Sequence, residues 1–298
     1  MKSFAKTLTK VRAKMTKKNV DYTNAMSLIE LSDEVYELFN SRMSLMNLKT
    51  NKYSSIIISL MYIMENTSQA IRYLIKNSFV IPAVTLARVR LEQAIVFSYL
   101  IHAEESNGFQ PFIAHIPISE YLKSSLAITE QKLAKNLTEL DLETLKLAAK
   151  SMQARFSSES EGERFDKKWT KLDLLSMAKA RDHMTMDLDE VLSYRLEIDY
   201  KSLYKEASSL IHFDGNSILT YTNYYVSRNE EHLIIGSKST WAPMAAAFNV
   251  HYDIINISET AKILDINLNE ELHEVYIKYK LQIEKIYLGE SEKADDVT

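Results

Sequence analysis

The 298-residue chain contains no cysteine. That removes disulfides, thiolate zinc sites and cysteine nucleophiles together, and it fits a reducing cytoplasm. Glycine occurs 5 times and proline 4 times. β-rich folds and glycine-cradled nucleotide sites use more of both, so their scarcity favours long helices. No apolar run approaches the roughly 20 residues of a membrane span; the most apolar, "SSIIISLMYIM", is far shorter. The start of the chain lacks the continuous apolar stretch of a secretory signal. No G-x-x-x-x-G-K, G-x-S-x-G or H-E-x-x-H motif occurs, which removes the commonest NTPase and hydrolase signatures. A soluble cytoplasmic protein is the expectation.

What is present is ordinary globular composition, 46% hydrophobic and 26% charged, with a net charge of −4. The charge is unevenly spread. The opening "MKSFAKTLTKVRAKMTKK" is basic without a single acid, and the tail "GESEKADDVT" is acidic. The basic start reads either as an anchor for phosphates of nucleic acid or lipid, or as a solvated amphipathic helix with Phe4, Leu8, Val11 and Met15 as its stripe.

Apolar residues recur at three- and four-residue intervals along most of the chain, which predicts helices. Long ones are expected in 24–46, 51–77 and 78–105, with Pro82 tolerated in a first turn. Gly108, Pro111 and Pro117 predict a break, followed by helices from about Ser119 to Lys135 and Leu142 to Arg155. A polar loop is expected near 156–168, then shorter helices from Trp169 onward, including "DLDEVLSYR", and a possible extended excursion at "HLIIGSKST". Helices from about Trp241 to Leu264 and Asn269 to Leu288 close the chain. The fold class is all-α, a multi-helix bundle within one domain, 1–298, since no linker divides it.

Two polar constellations interrupt the apolar pattern. In "YKEASSLIHFDGNS", Tyr204, Ser208 and His212 are spaced i, i+4, i+8 and share one helix face. Gly215 stops the helix, so His212 falls in its last turn, where the dipole favours the imidazolium. His212 reads as a general acid/base or phosphate ligand, or as a structural complement to the helix end. In "AVTLARVRLEQAIVFSYL", Arg88 and Glu92 adjoin at i, i+4. Pointing inward, they should pair, with Glu92 holding Arg88 toward a neighbouring helix; pointing outward, they form a surface ion pair. Arg90, on another face, is expected in solvent. Arg181, Asp182 and His183 are consecutive and read as a polar turn. Glu270-x-x-His273 has the spacing of a di-metal ligand pair but lacks its second copy, since His102-x-x-Glu105 runs in reverse.

The segments "VIPAVTLARVRLEQAIVFSYL", "KKWTKLDLLSMAKA" and "YKEASSLIHFDGNS" together resemble an uncharacterised bacterial family of the HEPN-like superfamily. There an A-x-x-L-x-R-x-x-x-E helix precedes a Y-x-x-x-S-x-x-x-H helix. The matching residues are Ala83, Leu86 or Ala87, Arg88 and Glu92, then Tyr204, Ser208 and His212, with Trp169 opening the intervening segment. The resemblance implies a core over 50–225, N-terminal helices over 1–49 and a helical extension over 226–298. It also implies a site that assembles Arg88, Glu92 and His212. Superfamily members include metal-independent endoribonucleases, often toxins or anti-phage effectors, and many are homodimers. Their nucleases place an Arg before the His on one helix; here the nearest basic residue is Lys205.

Two functions follow. One is an RNA endonuclease needing no metal or cofactor, with His212 as general base and Arg88 stabilising phosphate. Glu92 would orient Arg88, and Tyr204, Ser208 and Lys205 would bind substrate. The other is a non-catalytic helical module for a partner protein, nucleotide or nucleic acid, in which the same polar groups set helix register.

Overall fold

The computed structural model describes residues 2–44, 53–103, 109–129, 139–156, 169–204, 207–208 and 241–288. All regular structure among them is helical, which makes the fold an all-α multi-helix bundle. Helix α1 spans Lys2–Ser44, α2 Ser54–Lys76, α3 Val80–His102, α4 Phe109–Thr129 and α5 Glu139–Phe156. Then come α6 (Leu174–Thr185), the single turn α7 (Leu196–Asp199) with a π-helical turn at Tyr200–Tyr204, α8 (Trp241–Ile263) and α9 (Asn269–Leu288). No helix among the described residues is long and apolar enough to cross a membrane.

α8 is the central strut, packed against α1, α2, α3 and α9, while α3 also packs against α6. α2 shows how the pattern builds the core. Ile57, Met61, Met64, Ser68, Ile71 and Ile75 recur at four- and three-residue steps and are all buried, as an amphipathic helix face requires. The link to α3 is short, and Ser78 takes a left-handed φ of 63° in it, uncommon for a residue with a Cβ. Pro82 sits in the first turn of α3, where its missing N–H would have no partner anyway.

Several boundaries depart from the sequence reading. The basic start and the following apolar stretch form one continuous helix rather than two. Pro117 lies inside α4 rather than ending a loop. The helix runs on through it, with Ala114 and Ile118 packed inward, both 5% exposed. α6 begins at Leu174, not Trp169, because the Asp173 side chain accepts a 2.7 Å bond from the Ser176 N–H and caps it. "DLDEVLSYR" forms turns rather than a helix. Side chains of the basic start, most of the polar segment near 156–168, Glu105, "HLIIGSKST", Lys205 and His212 through Gly215 lie outside the described residues.

Candidate functional site

Arg88 is the centre of a small polar cluster between α3 and the end of the π-turn. Its Nε donates to Glu92 Oε1 at 3.0 Å, Nη2 to the Tyr204 hydroxyl at 2.9 Å, and Nη1 to Ser208 Oγ at 3.4 Å. The guanidinium carbon lies 4.2 Å from the Tyr204 ring centroid, a cation–π contact. Tyr204 in turn stacks on Tyr200 at 4.4 Å. The structure thus brings together four of the residues singled out from sequence. The Arg88 side chain is 14% exposed and Glu92 33% exposed, so solvent reaches the pair.

The cluster lies beside two depressions. A cavity of ≈ 760 Å³ is walled by Trp169, Phe112, Tyr200 and Tyr204, with His115 and Lys123 from α4 on its rim. A smaller apolar groove of ≈ 330 Å³ runs past Glu92, Val96 and Phe97. Phe112, Leu174 and Met177 border both. Trp169 meets Phe112 edge-on at 5.5 Å and Tyr99 at 6.1 Å, so its ring is part of a fixed aromatic wall.

Tyr204 is delivered to Arg88 by a chain of buried polar contacts starting on α8. Glu259 Oε1 accepts from Arg181 Nη2 at 3.1 Å, and also bonds Ser98 and His102. Arg181 also donates from Nε to Ser98 Oγ at 2.6 Å and from Nη1 to the Tyr194 carbonyl at 2.5 Å. The next residue, Asp182, accepts from the backbone N–H groups of Leu196 and Glu197 at 3.0 and 2.9 Å, capping α7 from another helix. Asp199, at the end of α7, accepts from the Tyr194 and Tyr252 hydroxyls at 2.7 and 3.0 Å. The π-turn follows directly, and Tyr204 ends it.

These contacts correct the reading of Arg181–Asp182–His183 as a polar turn: all three lie in α6, with Arg181 buried and His183 exposed. Arg90 corrects a second expectation. It is 0% exposed, because the face opposite Arg88 meets α8 instead of water. There Arg90 bonds Asp253 Oδ1 and Asn256 Oδ1 at 3.0 and 2.9 Å. Asp253 also accepts from Ser32, Tyr36, Ser68 and Asn249, so one carboxylate ties α1, α2, α3 and α8 together. Glu270 and His273 are both exposed on α9, and His102 pairs with Glu259 instead.

The α8 polar residues were missed from sequence. A signal was available: Asn249, Asp253, Asn256 and Thr260 are spaced by four, three and four residues in an apolar helix and are all buried, which marks a shared face needing partners.

Two buried groups near α7 titrate with opposite consequences. Burial pushes the Asp199 carboxyl up to about 7, against the pull of its two tyrosine hydrogen bonds. A carboxyl raised in the fold contributes stability below its unfolded pKa and loses it as pH rises through the folded value. Burial, then the Arg181 charge, push His251 down to about 3. A depressed imidazole contributes stability above the ordinary histidine pKa and loses it as pH falls toward the folded value. The slopes oppose each other between about pH 4 and 6.5. His251→Gln should therefore leave a protein whose melting temperature rises as pH falls through that window. Asp199→Asn should leave one that loses stability with acid more steeply than wild type. Parallel pH–melting curves for the three proteins would refute both assignments.

A model for a family of unknown function, DUF5677, matches residues 54–232, from the start of α2 past the Tyr204–His212 segment. The chain belongs to the DUF5677 family. The match includes Arg88, Glu92, Tyr204 and Ser208, so the polar cluster is built within the family region, while α8 and α9 lie beyond it. In this member of DUF5677, Arg90 and Arg181 of the family region reach beyond it to the α8 carboxylates Asp253 and Glu259. No curated protein and no solved structure matches the chain.

Proposed function

We propose that this DUF5677 protein is a HEPN-like, metal-independent endoribonuclease of the toxin or anti-phage type, acting in the cytoplasm through the Arg88 cluster. The observation that carries the reading is the guanidinium of Arg88, aimed and partly exposed, held by Glu92, Tyr204 and Ser208 beside an aromatic cavity. Of its five N–H donors, three are engaged by these residues. The other two serve a phosphate, whose developing charge Arg88 stabilises in the transition state. Glu92 fixes the orientation of Arg88, and Tyr204 and Ser208 set its distance from the substrate. His212, one turn beyond Ser208 in sequence, acts as general base on the ribose 2′-hydroxyl, and Lys205 contributes a phosphate contact. Trp169, Tyr200 and Phe112 provide ring faces on which an unpaired base stacks.

Purified protein should cleave single-stranded RNA in EDTA. His212→Ala and Arg88→Ala should each lower the rate at least ~100-fold, the lower range for a lost acid/base or electrostatic group. Intact RNA across a panel of structured and unstructured substrates would overturn the reading.

A second reading has its own observation. Tyr204 both stacks on Arg88 and hydrogen-bonds it, an arrangement that serves equally to lock the π-turn against α3. The protein is then a non-catalytic helical module binding a partner protein, nucleotide or nucleic acid. Under it, Arg88→Ala lowers the melting temperature with no hydrolytic activity to lose.

A further inference from the structure

A helix on the outside of a bundle normally carries charge on its outer face. α9 does so, with Glu274, Lys278, Glu284 and Lys285 exposed. α2 does not. Up to Ile75 its exposed residues are Ser55, Ser59, Tyr62, Ile63, Asn66, Gln69 and Tyr73, none of them charged, and Lys76 at its C-terminal end is paired with Asp33. Its only two ionisable groups of opposite sign there, Glu65 and Arg72, sit to one side, and Arg72 is buried against Asp33. The bulky members of this face are strongly exposed: Tyr62 58%, Ile63 53% and Tyr73 65%. Phe79, in the link to α3, and Val89, on α3, are further exposed apolar residues. Depletion of charge with retention of tyrosine and aliphatic groups is the composition of an interface core.

We infer that α2 is a homodimer interface, with a second copy of this chain docked antiparallel on it about a two-fold axis at Asn66. The order of residue sizes along the face selects this occupant. At about 100° per residue, Ser55, Ser59, Tyr62, Ile63, Gln69, Ala70 and Tyr73 all fall within about 60° of Asn66. Reversing the helix about Asn66 sets Tyr62 opposite the partner's Ala70 and Tyr73 opposite the partner's Ser59. Each large ring meets a small residue in both directions, as an isologous contact and interdigitated packing require. Ile63 meets the aliphatic stem of the partner's Gln69. Asn66 meets the partner's Asn66, and two carboxamides can exchange hydrogen bonds across the axis.

The lack of charge also bears on the occupant. A nucleic acid would call for cations here, and there are none among the exposed residues of the face. Two-fold symmetry would set any charge near the axis against its own copy, and this face carries none to repel. The 23 residues of α2 span about 34 Å, a length along which an isologous helix pair can form. The inference stands independently of the RNA reading.

The axis position makes the test specific. Wild-type protein should sediment as a dimer at micromolar concentration. Asn66→Asp and Asn66→Lys should each be folded, with wild-type circular dichroism, and monomeric, because each sets like charges together on the axis. An equimolar mixture of the two should return to the dimer, since the mixed pair places opposite charges there. A monomeric wild type, charge variants that each dimerise as wild type does, or a mixture that stays monomeric would overturn the proposal.

Discussion

Asp253→Ala is expected to be the most damaging single substitution in the bundle, lowering stability by about 3–5 kcal/mol. Five side chains from four helices donate to this carboxylate. Removing it strands the Arg90 guanidinium at 0% exposure with only Asn256 as partner, and leaves buried hydroxyls of Ser32, Tyr36 and Ser68 short of an acceptor. Against a typical total of about 5–15 kcal/mol, such a loss brings the protein close to unfolding at ambient temperature. Arg90→Met should be milder, because Asp253 keeps four neutral donors and the methionine fills most of the vacated volume. The double variant should be less damaged than the sum of the two singles, since a charge stranded by one substitution is removed by the other. Chemical denaturation of the four proteins measures this coupling. A coupling of zero would mean that the ion pair contributes nothing beyond its separate parts.

The second large effect is expected at Arg181. Arg181→Met removes the cation that neutralises Glu259 and the donor that holds the Tyr194 carbonyl, at about 3 kcal/mol or more. Burial pushes the Glu259 carboxyl up, but His102, Arg181 and Ser98 outweigh it and hold it below the ordinary value. In wild type, a depressed carboxyl contributes stability above its unfolded pKa and loses it as pH falls. Without Arg181, Glu259 is raised and takes up a proton, so its buried charge can be discharged. The stability gap between Arg181→Met and wild type should therefore narrow as pH is lowered from about 8 toward 5. A gap independent of pH would mean that Arg181 acts through packing alone. The variant has a second consequence, because Arg181 and Asp182 anchor the start of α7. Loosening that turn releases Tyr204 from Arg88, which nuclease assays or intrinsic tyrosine fluorescence would detect.

The pairing of Arg88 with Glu92 was legible because both lie on one helix at i, i+4, where geometry follows from spacing alone. Their contact with Tyr204 and Ser208 was only suggested, by polar residues at helical spacing in an apolar segment far along the chain. The site at Arg88 is thus half local, half tertiary. Arg90 shows why such reading stops where it does. Its position, two residues from Arg88, correctly places it on another face, but whether that face meets water or a helix depends on α8, more than 150 residues away. Pro117 illustrates the converse error: the local rule places a break where the helix runs on, with Ala114 and Ile118 packed inward. Asp173 shows a cap that the local rule does describe, since an aspartate three residues before a backbone donor makes its bond within one turn.

Sequence by itself determined the all-α class, the cores of α2, α3, α8 and α9, and the polar residues from which a site can be made. Those properties depend on periodicity, composition and capping, all of which act within a few turns of chain. Tertiary structure alone decided that Asp253 and Glu259 are buried anchors and that α8 lies at the centre. It also decided that the outer face of α2 carries no charge. Burial is a property of what lies across a helix, and the groups across it here come from segments separated by up to about three-quarters of the chain.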